Sequence, residues 1–483
     1  MENSIKNETI KSVAWSAIER FSVQAFQFLF SIVLARLVSP GEFGLIAMLS
    51  VFIVIAQSLV ESGFSNALIQ KLNRTEEDYS TVFYFNIAIA VVIYLCLFFS
   101  ASSIASFYNE PLLKVICQWF GLVIFFQSFS VVQIAKLTIK LDFKTQAKAS
   151  LISVIIGGIV GITLAFYNYG VWALLIQTLL SSFVNTSLLW VFSKWVPSSS
   201  FSWVSLKNLF SFGSKLLLSG LLHTIYVNLY SLVIGRKFSS VEVGFFNQSN
   251  QISRFPSVSL MAIISRAIYP IQCKIQDQSE LLRDSFKQYL RMACYIIFPI
   301  MVSIAVMSKQ LITVLLTEKW LPMASSLTIL SISYMWIPLM VVNNQILTVR
   351  GRSDYFLKAE LIKKVFGVLI LVLTIPFGMT WICLGIFFYN FCDVVIIVFF
   401  SKKVIETNFV SQLKSIFPIL ILSLSMSIVI YLVMLLSVNV YIQILYGSLA
   451  AITFYYLVSS LCKIPEFTFI QSTVFKLLNN KQV

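Results

Sequence analysis

Apolar runs of about 20 residues, separated by short polar or Pro/Gly-bearing connections, follow one another along nearly the whole chain. At about 1.5 Å of rise per residue, each is long enough to cross a hydrocarbon core of roughly 30 Å as a helix. The pattern predicts an all-α polytopic membrane protein with about fourteen transmembrane helices. Six are expected at Val13–Ala35, Phe43–Leu59, Thr81–Ile104, Leu113–Ala135, Ala149–Phe166 and Val171–Phe192. Six more fall at Leu209–Ile234, Val243–Ile268, Met292–Met307, Met323–Leu347, Phe356–Ile375 and Trp381–Phe400, and a final pair at Ile416–Leu436 and Val440–Leu461. The first run is a poor signal peptide, because Glu19 and Arg20 interrupt it and no small-residue cleavage site follows, so it is expected to be retained.

One short stretch occurs twice. "SIVLARLVSPGEFG" from Ser31 returns as "SLVIGRKFSSVEVG" from Ser231, without a gap, and each copy joins the first two spans of a block of six. Each is a hairpin between helices. Glu42 and Glu242 fall where a carboxylate favours the positive end of the next helix, and Gly44 and Gly244 permit close helix approach. The repeat predicts two pseudo-symmetric six-helix bundles in the same orientation, residues 1–195 and 196–405, with residues 406–483 adding a helix pair and a cytoplasmic tail. Two such bundles are expected to enclose a cleft.

Composition agrees with the pattern: 58% of the 483 residues are hydrophobic and 11% charged, and the mean hydropathy is +0.88. A net charge of +15 would suit a nucleic-acid partner, but its distribution excludes that reading. Lys71, Arg74, Lys136, Lys140, Lys144, Lys148, Arg283, Lys287, Arg350, Arg352, Lys402 and Lys403 lie in connections on one side, whereas "YNYG" and "PFGM" on the other side carry no charge. That is the positive-inside pattern, and it puts both termini in the cytoplasm. The seven cysteines lack metal-ligand spacing and read as packing residues.

Polar residues inside spans need a reason, since a charge near the bilayer centre costs about 2.5 to 3.5 kcal/mol on insertion scales. Ser16, Arg20, Gln24, Gln27 and Ser31 share one face of the first span, and Lys215, Ser219, His223, Tyr226 and Tyr230 form a stripe on the seventh. Arg20 and Lys215 begin about 10 Å from the cytoplasmic boundary, where facing a cavity and snorkelling to the headgroups are both open to them. Arg254 lies about 16 Å into its span, on a polar face with Asn247, Asn250, Gln251 and Ser257, and is expected to face a wet cavity, the other reading being a bridge between neighbouring helices. Asp393, about 18 Å deep with Asn390 one turn before it, reads as an ion-coupling acid or a structural hydrogen-bonding group. Glu19 reads as a coupling acid or a local partner of Arg20, and His223 as a proton-linked group or a neighbour's hydrogen-bonding partner. Cationic handles outnumber anionic ones, which suits a ligand bearing phosphate or carboxylate. Arg266, Arg291, Lys363 and Lys364 either widen that field at the cytoplasmic mouth or simply follow the positive-inside bias.

The segments "LARLVSPGEFGLIAM", "ESGFSNALIQKLNRTEEDYSTVFYFN", "KLDFKTQAKASLIS", "GVWALLIQ", "FNQSNQISRFP", "SRAIYPIQCKIQ" and "RGRSDYFLKAELIKK" resemble, in order and spacing, bacterial polysaccharide exporters of the multidrug/oligosaccharidyl-lipid/polysaccharide superfamily. The likeness, running from about Ser12 to Leu461, is to Wzx-type lipid-linked oligosaccharide flippases and teichuronic-acid exporters. It implies twelve core helices plus two, working by alternating access in the bacterial inner membrane. The implied cargo is an undecaprenyl-pyrophosphate-linked oligosaccharide of the O-antigen, capsule or teichuronic-acid kind, carried from the cytoplasmic to the periplasmic leaflet. With it come membrane lipid, and a polysaccharide polymerase and a chain-length regulator as candidate partners. On this reading Arg20, Gln24, Gln27, Lys215, His223, Asn250, Gln251 and Arg254 bind substrate, Glu19 and Asp393 couple to H+ or Na+, and no cofactor is needed. No GxxxxGK[ST] motif is present to couple ATP.

Two other classes remain open on the sequence. A small-molecule antiporter of the same fold would want acids in the cleft, for which only Glu19 and Asp393 are candidates. A glycan polymerase or ligase would want a sizeable outward domain, whereas outward connections here are about 4 to 15 residues long, ordinary for loops.

Overall fold

The computed structural model describes residues 22–61, 64–198, 200–436 and 438–479, without the side chains at 61, 211–213, 215, 216, 218, 219, 222, 223, 226, 227 and 473–479. Among the described residues the chain forms helices joined by short connections and no strand. Helix α1 is described over Ser22–Leu37. There follow α2 (Pro40–Glu61), α3 (Phe64–Gln70), α4 (Glu76–Tyr108), α5 (Leu112–Phe120), α6 (Leu122–Ser128), α7 (Val131–Ile139), α8 (Phe143–Phe166), α9 (Val171–Ser193) and α10 (Trp203–Lys237). Next come α11 (Ser240–Lys274), α12 (Ser279–Val306), α13 (Ser308–Leu315), a 3-10 turn at Glu318–Met323, α14 (Ala324–Tyr334), α15 (Ile337–Val349) and α16 (Ser353–Thr374). The chain ends with α17 (Met379–Ile405), α18 (Phe409–Met434), α19 (Val440–Leu461) and α20 (Pro465–Asn479).

Ten stretches among the described residues are long and apolar enough to cross a membrane. Helices α10, α11 and α16 cover the seventh, eighth and eleventh expected spans but are not among the ten. Lys358, Glu360, Lys363 and Lys364 all lie on α16. The fold class is thus the expected one, a multi-pass bundle of helices.

Packing divides the chain into two compact units, Met1–Gly244 and Phe245–Val483. Packing and duplication draw different lines, because α10, the seventh expected span, lies against α2, α3 and α4 of the first unit. Ser58 Oγ and Thr224 Oγ1, 3.1 Å apart, tie α10 to α2.

Both copies of the repeated turn are helix caps within the first unit. Glu42 Oε2 accepts from the Ser39 backbone N–H at 2.9 Å, and the Glu42 N–H donates to Ser39 Oγ at 3.4 Å. Ser239 and Glu242 repeat the arrangement at 3.1 and 3.3 Å. These reciprocal bonds satisfy N–H groups that a helix start leaves unpaired, and a capping residue is worth about 1 kcal/mol. The two copies also touch. A methyl on Gly44 would lie 1.7 Å from the Ser240 carbonyl oxygen, and one on Gly244 would lie 2.0 Å from that of Pro40. Helices α2 and α11 therefore start backbone against backbone, and glycine is required on both sides of the crossing.

In the second unit, α12 packs on α14, α15 and α18, while α17 packs on α14, α15 and α16. Its core gathers Phe286, Phe298, Met301, Val342, Ile346, Val398 and Ile419, all buried. One buried polar cluster inside it is paired: Asn343 Nδ2 donates to Gln412 Oε1 at 2.9 Å, and Asn343 Oδ1 accepts from Ser401 Oγ at 2.5 Å. Unpaired amides would be costly there.

Candidate functional site

The fourth span of each six-helix block is broken at a similar place. In the first unit the break between α6 and α7 falls at Phe129 and Ser130; in the second, α14 and α15 are separated by Met335 and Trp336. An interrupted membrane helix frees backbone groups that something else must satisfy. Here α9 does so: Thr186 Oγ1 donates to the Phe126 carbonyl at 3.0 Å and Trp190 Nε1 to that of Phe129 at 2.8 Å. Paired discontinuities in two related halves are where transporters place their sites.

Beside the first break lies a cavity of about 470 Å³, walled by α2, α3, α6, α7, α9 and α10. Its polar lining is Gln57, Ser58, Ser65, Asn66, Gln127, Ser130 and Asn185, with Val60, Ile124, Val131, Ile134, Leu217 and Gly220 completing the wall. Every described lining side chain is uncharged. Ser130 Oγ donates to the Gln127 carbonyl at 2.8 Å, whereas Asn185 Oδ1 is buried and has no hydrogen-bond partner among the described residues. No pattern in the sequence points to these residues, because they come singly or as adjacent pairs from separate helices, with no shared period.

The residues expected from the sequence are not gathered there. Glu19 and Arg20 lie outside the described residues, as do the side chains of Lys215 and His223 on α10. Gln24 and Gln27 are exposed on α1. Asn250 Oδ1 accepts from the Tyr334 hydroxyl at 2.5 Å, and Gln251 and Arg254 are exposed on α11. The expected polar face of α11 is split. Ser257 turns away from Arg254 and is fully buried, on a stripe with Ser249 and Ser253. Pro256 sits in the same turn, withholding the N–H that would bond the Ile252 carbonyl.

Asp393 is paired. Lys363 Nζ lies 2.8 Å from Asp393 Oδ1 and 3.2 Å from Glu360 Oε1, and Lys363 is only 1% exposed. Lys363, which the sequence offers either to a basic mouth or to the positive-inside bias, is an interior cation joining α16 to α17. One turn before Asp393, Asn390 Nδ2 donates to Ser333 Oγ at 2.8 Å.

A second concavity belongs wholly to the second unit. This groove of about 570 Å³ lies between α12, α13, α18, α19 and α20, and its mostly apolar lining includes Pro299, Ile300, Met307, Leu311, Met426, Phe467 and Ile470, with Ser303, Ser448 and three tyrosines as its polar members. Helix α20 contributes Phe467 and Ile470, and it is held down by Glu466. That carboxylate takes both Nε (2.5 Å) and Nη2 (2.9 Å) of Arg291, whose Nη1 donates to the Ser415 carbonyl at 2.6 Å. Glu466 is 5% exposed, so the pair is strong and specific. Removing one partner of a buried pair costs about 3 to 5 kcal/mol, so Glu466→Gln should release α20. Limited proteolysis of the full chain in lipid would read this as cleavage of α20, with protection restored in the swap Arg291→Glu/Glu466→Arg.

Comparison with known proteins agrees with this architecture. A family model described as polysaccharide biosynthesis protein matches residues 33–325. The teichuronic acid biosynthesis protein TuaB of Bacillus subtilis is 26% identical over 354 residues, 73% of each chain. The lipopolysaccharide biosynthesis protein WzxC of Escherichia coli is 26% identical over 323 residues, 66% of this chain and 65% of its own. Among solved structures, the lipid II flippase MurJ in an inward closed conformation is similar with a TM-score of 0.75 at 14% identity, over 92% of this chain and 98% of that one. An inward-facing multidrug transporter of the MATE family of the MOP superfamily is similar at 0.61 and 16% identity, over 81% and 98%. At these identities the likeness to both structures is one of fold.

Proposed function

The chain belongs to the polysaccharide biosynthesis protein family, and from that premise we propose that it is a flippase for a lipid-linked oligosaccharide. The cargo is a glycan on a polyprenyl pyrophosphate, carried from the cytoplasmic to the periplasmic leaflet of the bacterial inner membrane. The observation that carries this reading is the groove of the second unit. Its lining is mostly apolar, and one of the helices that form it, α20, is clamped through Arg291 and Glu466. Such a groove suits a prenyl chain, whose burial is worth about 0.8 kcal/mol per methylene equivalent.

The headgroup needs different chemistry. A pyrophosphate is held by cations and amides, and Arg254 with Gln251 offers both on the exposed side of α11. The repeated six-helix block supports a mechanism in which access alternates between the two leaflets. Proton or sodium coupling through Glu19 and Asp393, cytoplasmic termini, and cooperation with a polymerase and a chain-length regulator belong to the same reading.

The test is export in cells. Deleting the gene should remove surface glycan and cause lipid-linked precursor to accumulate, and Arg254→Ala should reproduce this with normal membrane abundance. Losing charge-assisted hydrogen bonds of about 1.5 to 3 kcal/mol lowers export by roughly tenfold to a hundredfold. Wild-type export by Arg254→Ala would remove Arg254 from the path, and unchanged precursor levels in the deletion would reject the flippase reading.

A further inference from the structure

The cavity of the first unit has polar capacity that its fold does not use. At the break between α6 and α7 the Phe126 and Phe129 carbonyls already accept from Thr186 and Trp190. What lines the cavity besides is chiefly amide: Gln57, Asn66, Gln127 and Asn185, whereas the hydroxyls of Ser58 and Ser130 are already bonded to Thr224 and to the Gln127 carbonyl. Asn185 is the telling group, because its buried Oδ1 has no partner among the described residues, and an unmade hydrogen bond of this kind costs about 1 to 3 kcal/mol.

The lining chemistry narrows the ligand. The described polar side chains of the lining are amides and hydroxyls, the groups of Gln57, Ser58, Ser65, Asn66, Gln127, Ser130 and Asn185. Amides and hydroxyls both donate and accept, as do sugar hydroxyls and N-acetyl groups. A volume of about 470 Å³ falls within the range of small-ligand pockets. Gly220 leaves one wall without a side chain, since a methyl there would meet nothing within 4 Å.

We propose that this cavity is a subsite for uncharged hexose or N-acetylhexosamine units of the cargo, recognised by Gln57, Gln127 and Asn185. It rests on the glycolipid reading above and adds to it that neutral sugars are bound inside the first unit, apart from lipid tail and pyrophosphate. The carrier then distinguishes glycosylated from bare carrier lipid.

The experiment measures binding of two probes to the full chain in lipid nanodiscs: undecaprenyl pyrophosphate, and the same lipid bearing a neutral disaccharide of N-acetylglucosamine and galactose. The wild type should prefer the glycosylated probe by about tenfold or more, the value of one or two neutral hydrogen bonds. Gln57→Leu/Asn185→Leu should reduce that preference to about twofold or less while leaving affinity for the bare lipid unchanged, which also reports an intact fold. Should that variant fail to fold, Ser65→Ala/Asn66→Ala at the cavity edge decides, with an expected loss of about threefold in preference. No preference in the wild type, or a wild-type ratio in the folded variants, overturns the subsite while leaving the flippase reading standing. Binding of neither probe by the wild type counts against both.

Discussion

Gly44→Val is expected to eliminate folded protein, and Gly244→Val to do the same. The new Cβ at position 44 would sit 1.7 Å from the Ser240 carbonyl oxygen and 3.1 Å from the Gly244 nitrogen. Both are backbone atoms at helix starts fixed by the Ser39–Glu42 and Ser239–Glu242 caps. A side chain in the way rotates aside; a capped backbone does not. Relief requires the starts of α2 and α11 to separate, which breaks caps or unpacks the crossing. The cost is on the order of 3 kcal/mol or more, among the larger effects of single substitutions. Gly220→Ala is the control, since a methyl there meets nothing and alanine favours helix by about 1 kcal/mol. Yield of monodisperse protein and its thermal midpoint in detergent compare the three. Wild-type behaviour of Gly44→Val would mean that the two turns do not touch as described.

How far the sequence reveals this molecule depends on whether a signal is local. The spans and the duplicated turn are legible because hydropathy and the Ser-x-x-Glu-x-Gly pattern lie within single stretches of chain. A repeat announces two similar parts, but not that the copies meet back to back. Charges mislead in a related way. Lys363 and Arg291 read in the sequence as part of a positive-inside bias, yet each is held by a carboxylate on another helix, Asp393 and Glu466. Nothing in the spacing of these pairs is periodic. The face of α11 failed at finer scale: Ser257 is three residues from Arg254, and that rotation of about 60° separates a buried stripe from an exposed one. The neutral cavity was least legible of all, because no helix supplies more than two of its described polar side chains.

Lys363→Met carries the other large expected effect. Its ammonium is the interior counter-charge of Asp393 at 2.8 Å and of Glu360 at 3.2 Å, with the lysine side chain 2% and the Asp393 side chain 13% exposed. Taking the lysine away strands Asp393 in a low-dielectric interior, which costs about 3 to 5 kcal/mol. Removing both charges should cost far less, since replacing a buried pair with neutral groups of similar volume is often neutral. The Lys363→Met/Asp393→Asn double variant is therefore expected to regain most of the stability lost by the single one, giving a coupling energy that thermal or denaturant unfolding in lipid can measure. The same pair bears on coupling. Asp393 already holds an ammonium, so an ion coupled there must either displace Lys363 toward Glu360 or act by protonating the carboxylate. Transport into vesicles separates these cases: proton coupling predicts that Asp393→Asn loses the pH dependence and keeps any sodium dependence, and displacement by sodium predicts the reverse. If Asp393→Asn alters neither, the pair is purely a brace between α16 and α17, and its whole effect should then appear in the unfolding cycle.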